Sequence, residues 1–221
     1  MDLSVWLHRG PYILEGFWLT LALIVSVLAI SAPLALVAGL ALTAKNRWLR
    51  LAVACLSWLA RGVPPLIILF GAYYILPIAF DWRLDPLPAA IFGFTLYNTF
   101  ICAEIVAAGL RAVPRGQHEA IAAMGLPPFR ALRRIILPQA MTVIVPPYIS
   151  NATDIVKSTA LAGSIGVMEL VTRANQAIVA TNRPFEILIG VAVIYGLIDA
   201  VLIAIQTWCE RHWGQARRRA A

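Results

Sequence analysis

Few residues of this chain could do covalent chemistry. Its three histidines, His8, His118 and His212, are far apart and stand at or beyond the ends of apolar runs. His118-Glu119 lacks the second histidine that a zinc-protease helix carries on the same face, and Gly163-Ser164-Ile165-Gly166 is not a nucleophile elbow. Cys55, Cys102 and Cys209 form no CxxC or mixed Cys/His spacing, so they read as small buried hydrophobes, not as a disulfide framework or zinc site. A nucleotide-binding loop needs a lysine directly after glycine. The only lysines, Lys45 and Lys157, follow Ala44 and Val156. We therefore expect no catalytic residue, no metal and no cofactor bound by this chain, and any energy it uses must come from outside it. What remains is a set of ionisable groups in apolar surroundings: Arg61, Glu104, Asp154, Lys157 and Asp199. A charge at the centre of a bilayer costs about 2.5–3.5 kcal/mol on insertion scales, so each must pair, snorkel or face water.

The elements that hold these charges follow from composition. Of the 221 residues, 61% are hydrophobic and 13% charged, against about 45–50% and about 25% in soluble domains. Apolar runs of about 20 residues span a bilayer. Five are expected, over roughly 17–42, 50–79, 87–110, 138–160 and 185–208. The chain reads as an all-α integral membrane protein, one transmembrane domain over residues 1–221, with no internal repeat. The first run is too long for the apolar core of a cleavable signal and is expected to stay as a span. Gly62, Pro64 and Pro65 interrupt the second run and are expected to break it. Such a break exposes the positive end of its second half, which can receive a carboxylate at mid-membrane; the alternative is a kink that only serves packing. Pro146-Pro147 is expected to bend the fourth span.

The net charge of +7 is distributed as a membrane protein distributes it, and nucleic acid is not an expected partner. Most basic residues fall on one side: Lys45, Arg47 and Arg50 after span one, Arg111, Arg115, Arg130, Arg133 and Arg134 after span three, and Arg211, Arg217, Arg218 and Arg219 after span five. Arg9, Arg83, Arg173 and Arg183 fall on the other. Basic residues mark cytoplasmic loops, so the N-terminus is expected outside and the C-terminus inside, with anionic membrane lipid beside the basic face. The more polar stretch 161–184 is expected outside, as one or two short helices.

The loop between spans three and four, about 114–136, is polar and arginine-rich. Pro114 closes span three, Gly116 to Met124 suits two turns of helix, and Gly125 suits a left-handed C-cap. Pro127 and Pro128 suit the start of a second helix over Phe129–Ile136. Helices this short are marginal in water and need something to dock against. On periodicity alone, an amphipathic loop lying on headgroups and a helix gripped by a soluble partner fit equally.

Spacing separates the two. Glu119-Ala120-Ile121, then Gly125, then Ile135 and Leu137-Pro138 resembles the Glu-Ala-Ala loop of ABC importer permeases, with Ile121 in place of the usual second alanine. Arg61-Gly62-Val63-Pro64, Leu69-Phe70, Tyr73-Tyr74 and Leu76-Pro77 resemble the second span of the polar amino acid subfamily, the histidine/glutamate/arginine/opine permeases. Ala103-Glu104-Ile105, Gly109, Val113-Pro114 and Gly116-Gln117 are similar to its third span. Lys157-Ser158-Thr159-Ala160-Leu161 is similar to its Lys-Asp-Thr-Ser-Leu segment, departing at Ser158 and Ala160.

The resemblance implies the rest of a machine. Two ATP-binding subunits, which hold the ATP and magnesium, dock on such loops. A second permease copy or a homologous permease pairs with the first, and an extracytoplasmic solute-binding protein delivers a polar amino acid or a related, opine-like compound. It also implies a bacterial cytoplasmic (inner) membrane location. Gly116, Glu119, Ala120, Gly125, Arg130, Arg133 and Arg134 are then the coupling residues, the arginines adding contact or only setting topology. Arg61, Gly62, Pro64, Glu104, Asn151, Asp154, Lys157 and Thr159 are the candidates for the substrate path. Several keep a second reading: Asp154 and Lys157, spaced i, i+3, can pair with each other, Glu104 can be a packing or gating contact, and Arg61 can snorkel. A gradient-driven transporter or channel, or a membrane scaffold, are the alternatives in other classes.

Overall fold

A computed structural model describes the backbone of residues 4–219 and the side chains of residues 4–211. The side chains of the basic C-terminal tail lie outside this set. Eight helices are described, with no strand among the described residues: α1 (Ser4–Leu42), α2 (Arg47–Gly62), α3 (Pro65–Phe80), α4 (Pro86–Arg111), α5 (Arg115–Ala123), α6 (Pro128–Ile165), α7 (Leu170–Thr181) and α8 (Pro184–Arg219). Three of these are long and apolar enough to cross a membrane, and the number rises to five if α2 with α3, and α6 with α7, each count as one broken span. The expectation of about five spans is met on that count.

Of three boundaries that bear on expectation, two differ from it for physical reasons and one meets it. First, α1 begins at Ser4, well before residue 17, and its 39 residues extend about 58 Å at 1.5 Å per residue. That is nearly twice the hydrocarbon thickness of about 30 Å. The additional N-terminal turns pack instead of spanning: Val5 and Ile13 are buried against Leu170, Ala174 and Ala177 of α7 and Ile187 and Val191 of α8. Second, the second apolar run is broken as expected, with α2 ending at Gly62 and Pro65 opening α3 behind the extended Pro64. Third, the expected helix over Phe129–Ile136 is not separate from span four. Its residues form the first turns of α6, which continues through Pro138, Pro146 and Pro147.

The continuation through Pro138 has a local cause. Proline donates no N–H, and its ring clashes with the carbonyl four residues back. Leu132–Ile136 forms a π turn, in which the Leu137 N–H bonds the Leu132 carbonyl. The same device recurs in α3, where Gly71–Ile75 forms a π turn, the Leu76 N–H bonds the Gly71 carbonyl, and Pro77 follows. Both Leu-Pro dipeptides thus sit directly after a widened turn that relieves the clash.

The described residues fall into two compact units, each assembled from three stretches of chain. The first comprises residues 4–31, 63–98 and 152–201. One of its apolar clusters joins Leu23 and Val27 of α1, Leu69 of α3, Ala89, Ala90 and Phe94 of α4, and Ile155 and Ala162 of α6. Gly93 permits close approach there, since a Cβ would lie 3.3 Å from that of Ala72. The second unit comprises residues 32–62, 99–151 and 202–219. Its core joins Ala35 of α1, Cys102, Val106 and Leu110 of α4, and Ala140 and Ile144 of α6. Gly39 faces Val106 and Gly109 faces Ile144 with no room for a side chain. Small residues at crossings are how helices pack closely in lipid.

Candidate functional site

The clearest site-like surface lies between α4 and α6. Pro114 is extended and opens α5, whose Gln117 N–H bonds the Pro114 carbonyl at 3.0 Å. The helix ends after Ala123 in a full Schellman arrangement: the Gly125 N–H bonds Ala122 O at 3.1 Å and the Leu126 N–H bonds Ile121 O at 3.3 Å. Gly125 has φ +62°, the left-handed region that glycine occupies without a Cβ penalty. The expected C-cap is present. Val113 is buried below the helix and Ile121 half-buried, while Gly116, Glu119 and Ala120 are exposed. Gln139 of α6 ties the helix down, its Nε2 lying 3.3 Å from Gln117 Oε1 and 3.0 Å from the Ile135 carbonyl.

Beyond Gly125, Pro127 caps α6 with Pro128 at its first position. Arg130, Arg133 and Arg134 are exposed there. Two apolar side chains stand bare beside them, Met124 at 60% and Phe129 at 74% exposure. A Cβ built on Gly116 or Gly125 meets nothing within 4 Å. At Gly125 the backbone angle explains the glycine. At Gly116, helical and unobstructed, nothing within the chain does.

The intramembrane charges divide between the two units. In the second unit, Arg61 Nη2 lies 3.5 Å from Glu104 Oε1, with side-chain exposures of 54% and 31%, and Arg61 Nε donates to the Ser57 carbonyl at 3.3 Å. The two residues are therefore partners, a relation hidden by their separation in sequence. Asn151 Nδ2 donates to Cys102 Sγ at 3.3 Å. Gly62, at the end of α2, is exposed with nothing near its missing side chain.

In the first unit, Pro64 is the exposed cap of α3, its carbonyl accepting from the Ile67 N–H at 2.9 Å. Asp154 and Lys157 are both exposed on α6. The ion pair that their i, i+3 spacing allows does not form: neither residue takes part in an ion pair among the described residues. Two exposed charged side chains gain little from pairing across water, least of all when a long lysine must be ordered to do so. Thr159 is fully buried, its hydroxyl donating to the Val156 carbonyl at 2.7 Å and lying 3.4 Å from the Tyr195 hydroxyl. It packs inside its unit and offers no atom to an accessible surface.

One residue that sequence reasoning passed over is Glu169, which falls within the polar stretch 161–184. It is completely buried and caps α7. Its Oε1 accepts from the Thr172 N–H at 2.6 Å and the Thr172 hydroxyl at 2.8 Å, and its Oε2 from the Val171 N–H at 2.8 Å and the Tyr195 hydroxyl at 3.4 Å. The neighbouring Leu170 N–H reaches Thr20 Oγ1 on α1 at 3.1 Å. Gly16 lies so close below that a Cβ would come within 2.8 Å of the Glu169 carbonyl carbon. The only local signal was an acid two and three residues before the N–H groups it caps. Nearby, Arg173 donates to Glu15 at 2.5 Å, and its guanidinium lies 4.7 Å over the Tyr12 ring.

Comparison with known proteins places this geometry in context. Residues 31–215 match the family model described as the binding-protein-dependent transport system inner membrane component. The L-cystine transport system permease protein TcyB of Bacillus subtilis is 36% identical over 203 residues, covering 91% of this chain and 86% of that protein. The histidine/lysine/arginine/ornithine transport system permease protein HisM of Salmonella typhimurium is 30% identical over 218 residues, covering 95% and 93%. Among solved structures, a chain of an amino acid ABC transporter crystallised with histidines superposes with a TM-score of 0.85 at 26% identity, covering 96% of this chain and 99% of that one.

Proposed function

The chain belongs to the family of binding-protein-dependent transport system inner membrane components, and from that membership we propose that it is the membrane-spanning subunit of an ATP-driven importer for a polar amino acid or a related, opine-like compound. Family members are multi-pass proteins of the inner membrane, and the apolar helices of this chain suit that location. In this reading residues 1–221 form one transmembrane permease domain, with the N-terminus outside and α5 and the start of α6 in the cytoplasm. Two ATP-binding subunits dock there and hold the ATP and magnesium. A second permease, identical or homologous, completes the pathway, and a solute-binding protein delivers the cargo from outside.

The observation that carries the reading is the surface around α5: a short, well-capped helix with an unobstructed Gly116 and Gly125, bare Met124 and Phe129, and three exposed arginines. Isolated helices of this length are marginal in water, and bare apolar side chains among cations suit a protein partner. Glu119 and Ala120 would seat the helix, and Arg130, Arg133 and Arg134 would add electrostatic contact. Arg61, Gly62, Pro64, Glu104, Asn151, Asp154 and Lys157 are the candidates for guiding substrate. Of these, Glu104 and Asp154 suit a cationic group, whereas Arg61, Lys157 and the start of α3 suit a carboxylate.

The test is reconstitution. The chain, co-expressed with candidate ATPase and permease subunits from the same source and purified through one tag, should carry its partners along. In proteoliposomes, ATP hydrolysis should rise with a loaded binding protein, and a panel of amino acids and opines should single out the cargo. Uptake that proceeds without ATP or any ATPase would replace this reading with a gradient-driven one.

A further inference from the structure

The second unit contains a cavity of which the transport reading uses only Glu104. It has a volume of about 580 Å³ and is lined by Leu42, Arg47, Trp48, Arg50, Leu51, Ala54, Glu104 and Arg111. Leu42 and Arg111 are the last residues of α1 and α4, and Arg47 is the first of α2. The cavity thus sits where helices end, at the level of lipid headgroups if α1 and α4 cross a bilayer, and the inference rests on that part of the functional reading.

Three guanidinium groups face this cavity, and none has a carboxylate partner among the described residues. Arg111 Nη2 donates to the Leu42 carbonyl at 3.4 Å, one of the carbonyls left open at the end of α1. Arg50 Nη1 donates to the Ala44 carbonyl at 3.3 Å, and Arg47 stacks over the Trp48 ring at 4.7 Å. A guanidinium has five N–H donors, so each keeps most of its donors for something else. The one acid in the lining, Glu104, is engaged by Arg61.

The placement of Arg47 and Arg50 is also unfavourable by itself. Both lie at the start of α2, whose first turn carries no acid, and cations at a helix N-terminus oppose the helix dipole. An anion among the three arginines would remove that conflict. The rest of the lining, Leu42, Leu51, Ala54 and the Trp48 ring, is apolar. An amino acid zwitterion would leave this surface unmatched, and the Glu104 carboxylate that could meet its ammonium is already engaged by Arg61. An amphiphile with a single phosphodiester matches both halves.

We propose that this cavity is a binding site for an anionic phospholipid, whose headgroup phosphate is held by Arg47, Arg50 and Arg111 and whose glycerol and upper acyl carbons lie along Leu42, Leu51, Ala54 and Trp48. A basic residue near an anionic membrane surface contributes about 1 kcal/mol, or about fivefold in affinity. Replacing one arginine with glutamine should therefore weaken lipid retention about fivefold, and replacing all three about a hundredfold.

The experiment uses the full chain in the complex it purifies with, delipidated in detergent and titrated with phosphatidylglycerol or phosphatidylcholine under native mass spectrometry. Neither uptake nor ATP hydrolysis enters the readout, so failure here is distinct from failure of the transport reading. Expected results are preferential retention of phosphatidylglycerol, its loss in Arg47→Gln/Arg50→Gln/Arg111→Gln, and no loss in Arg9→Gln/Arg83→Gln, which removes two exposed cations that the cavity does not contain. Should the triple variant fold poorly, the single variants and the charge-preserving Arg50→Lys carry the same test, with Arg50→Lys retaining more lipid than Arg50→Gln. Three results would overturn the proposal: equal retention of both lipids, displacement of phosphatidylglycerol by millimolar inorganic phosphate, which marks a free-anion site, or retention by the isolated chain but not by the complex, which marks a subunit contact.

Discussion

Arg61 on α2 and Glu104 on α4 are ion-pair partners, with Nη2 and Oε1 3.5 Å apart. The pair joins the last turn before the break at Gly62 to the helix that leads into α5. If it fixes these elements, its two members act together. Arg61→Gln and Glu104→Gln should each reduce thermal stability, and the double variant should lose less than the sum. The coupling expected for a half-exposed pair is about 0.2–1 kcal/mol. Strict additivity in unfolding of the purified complex would show that the contact carries no energy.

Gly125 should be intolerant for a reason of backbone geometry. A side chain at φ +62° costs roughly 1–2 kcal/mol. Gly125→Val should fray the Schellman turn that ends α5, so that ATP hydrolysis continues while uptake falls, with the protein still inserted. The measurement is the ratio of transport to hydrolysis in proteoliposomes, and a wild-type ratio would exclude a coupling role for this turn.

Gly116 separates partner contact from internal packing. It is helical with open space around it, so Gly116→Ala should leave the isolated chain slightly more stable, by about 0.4–1 kcal/mol. If an ATPase approaches closely there, the same change should weaken its co-purification. A variant that is stabilised and assembles normally would remove Gly116 from the docking surface.

Asp154 and Lys157 do not pair and are exposed. Asp154→Asn and Lys157→Gln should therefore shift stability by no more than about 0.5 kcal/mol. Any effect should appear in the substrate concentration that half-stimulates ATP hydrolysis. Unchanged stimulation in both variants would take them off the substrate path.

Glu169 is expected to behave in the opposite way. Its buried carboxylate receives two backbone N–H groups and two hydroxyls. Glu169→Gln retains the shape but turns an amide N–H₂ toward donors, leaving buried groups unsatisfied at about 1–3 kcal/mol. Heat denaturation in detergent should show the loss, and a melting curve matching wild type would mean that the cap is dispensable.

The parts legible in sequence share a feature: their cause is local. Left-handed backbone belongs to glycine, so Gly125 announced the end of α5. Pro64 and Pro65 announced the break after Gly62. The apolar runs announced the spans, because the bilayer demands a length. What sequence concealed depends on distant partners. The Arg61–Glu104 contact joins residues 43 apart. Glu169 looked like one polar residue of a surface segment, and only Thr172, Tyr195 and the tight approach of Gly16 reveal it as buried. Pro138 misled because proline normally ends a helix; the π turn before it, invisible to composition, let α6 pass through.

That turn, and its twin in α3, amount to one surplus residue inserted in a regular helix. At 3.6 residues per turn, one residue is a rotation of about 100°. The bearing of Phe129 and Arg130 about the axis of α6 is therefore set by the count of residues in Leu132–Ile136 as much as by their identities. Removing any one of them would leave every remaining side chain chemically intact and swing the head of the helix by a quarter-turn, so this segment should tolerate substitution far better than deletion.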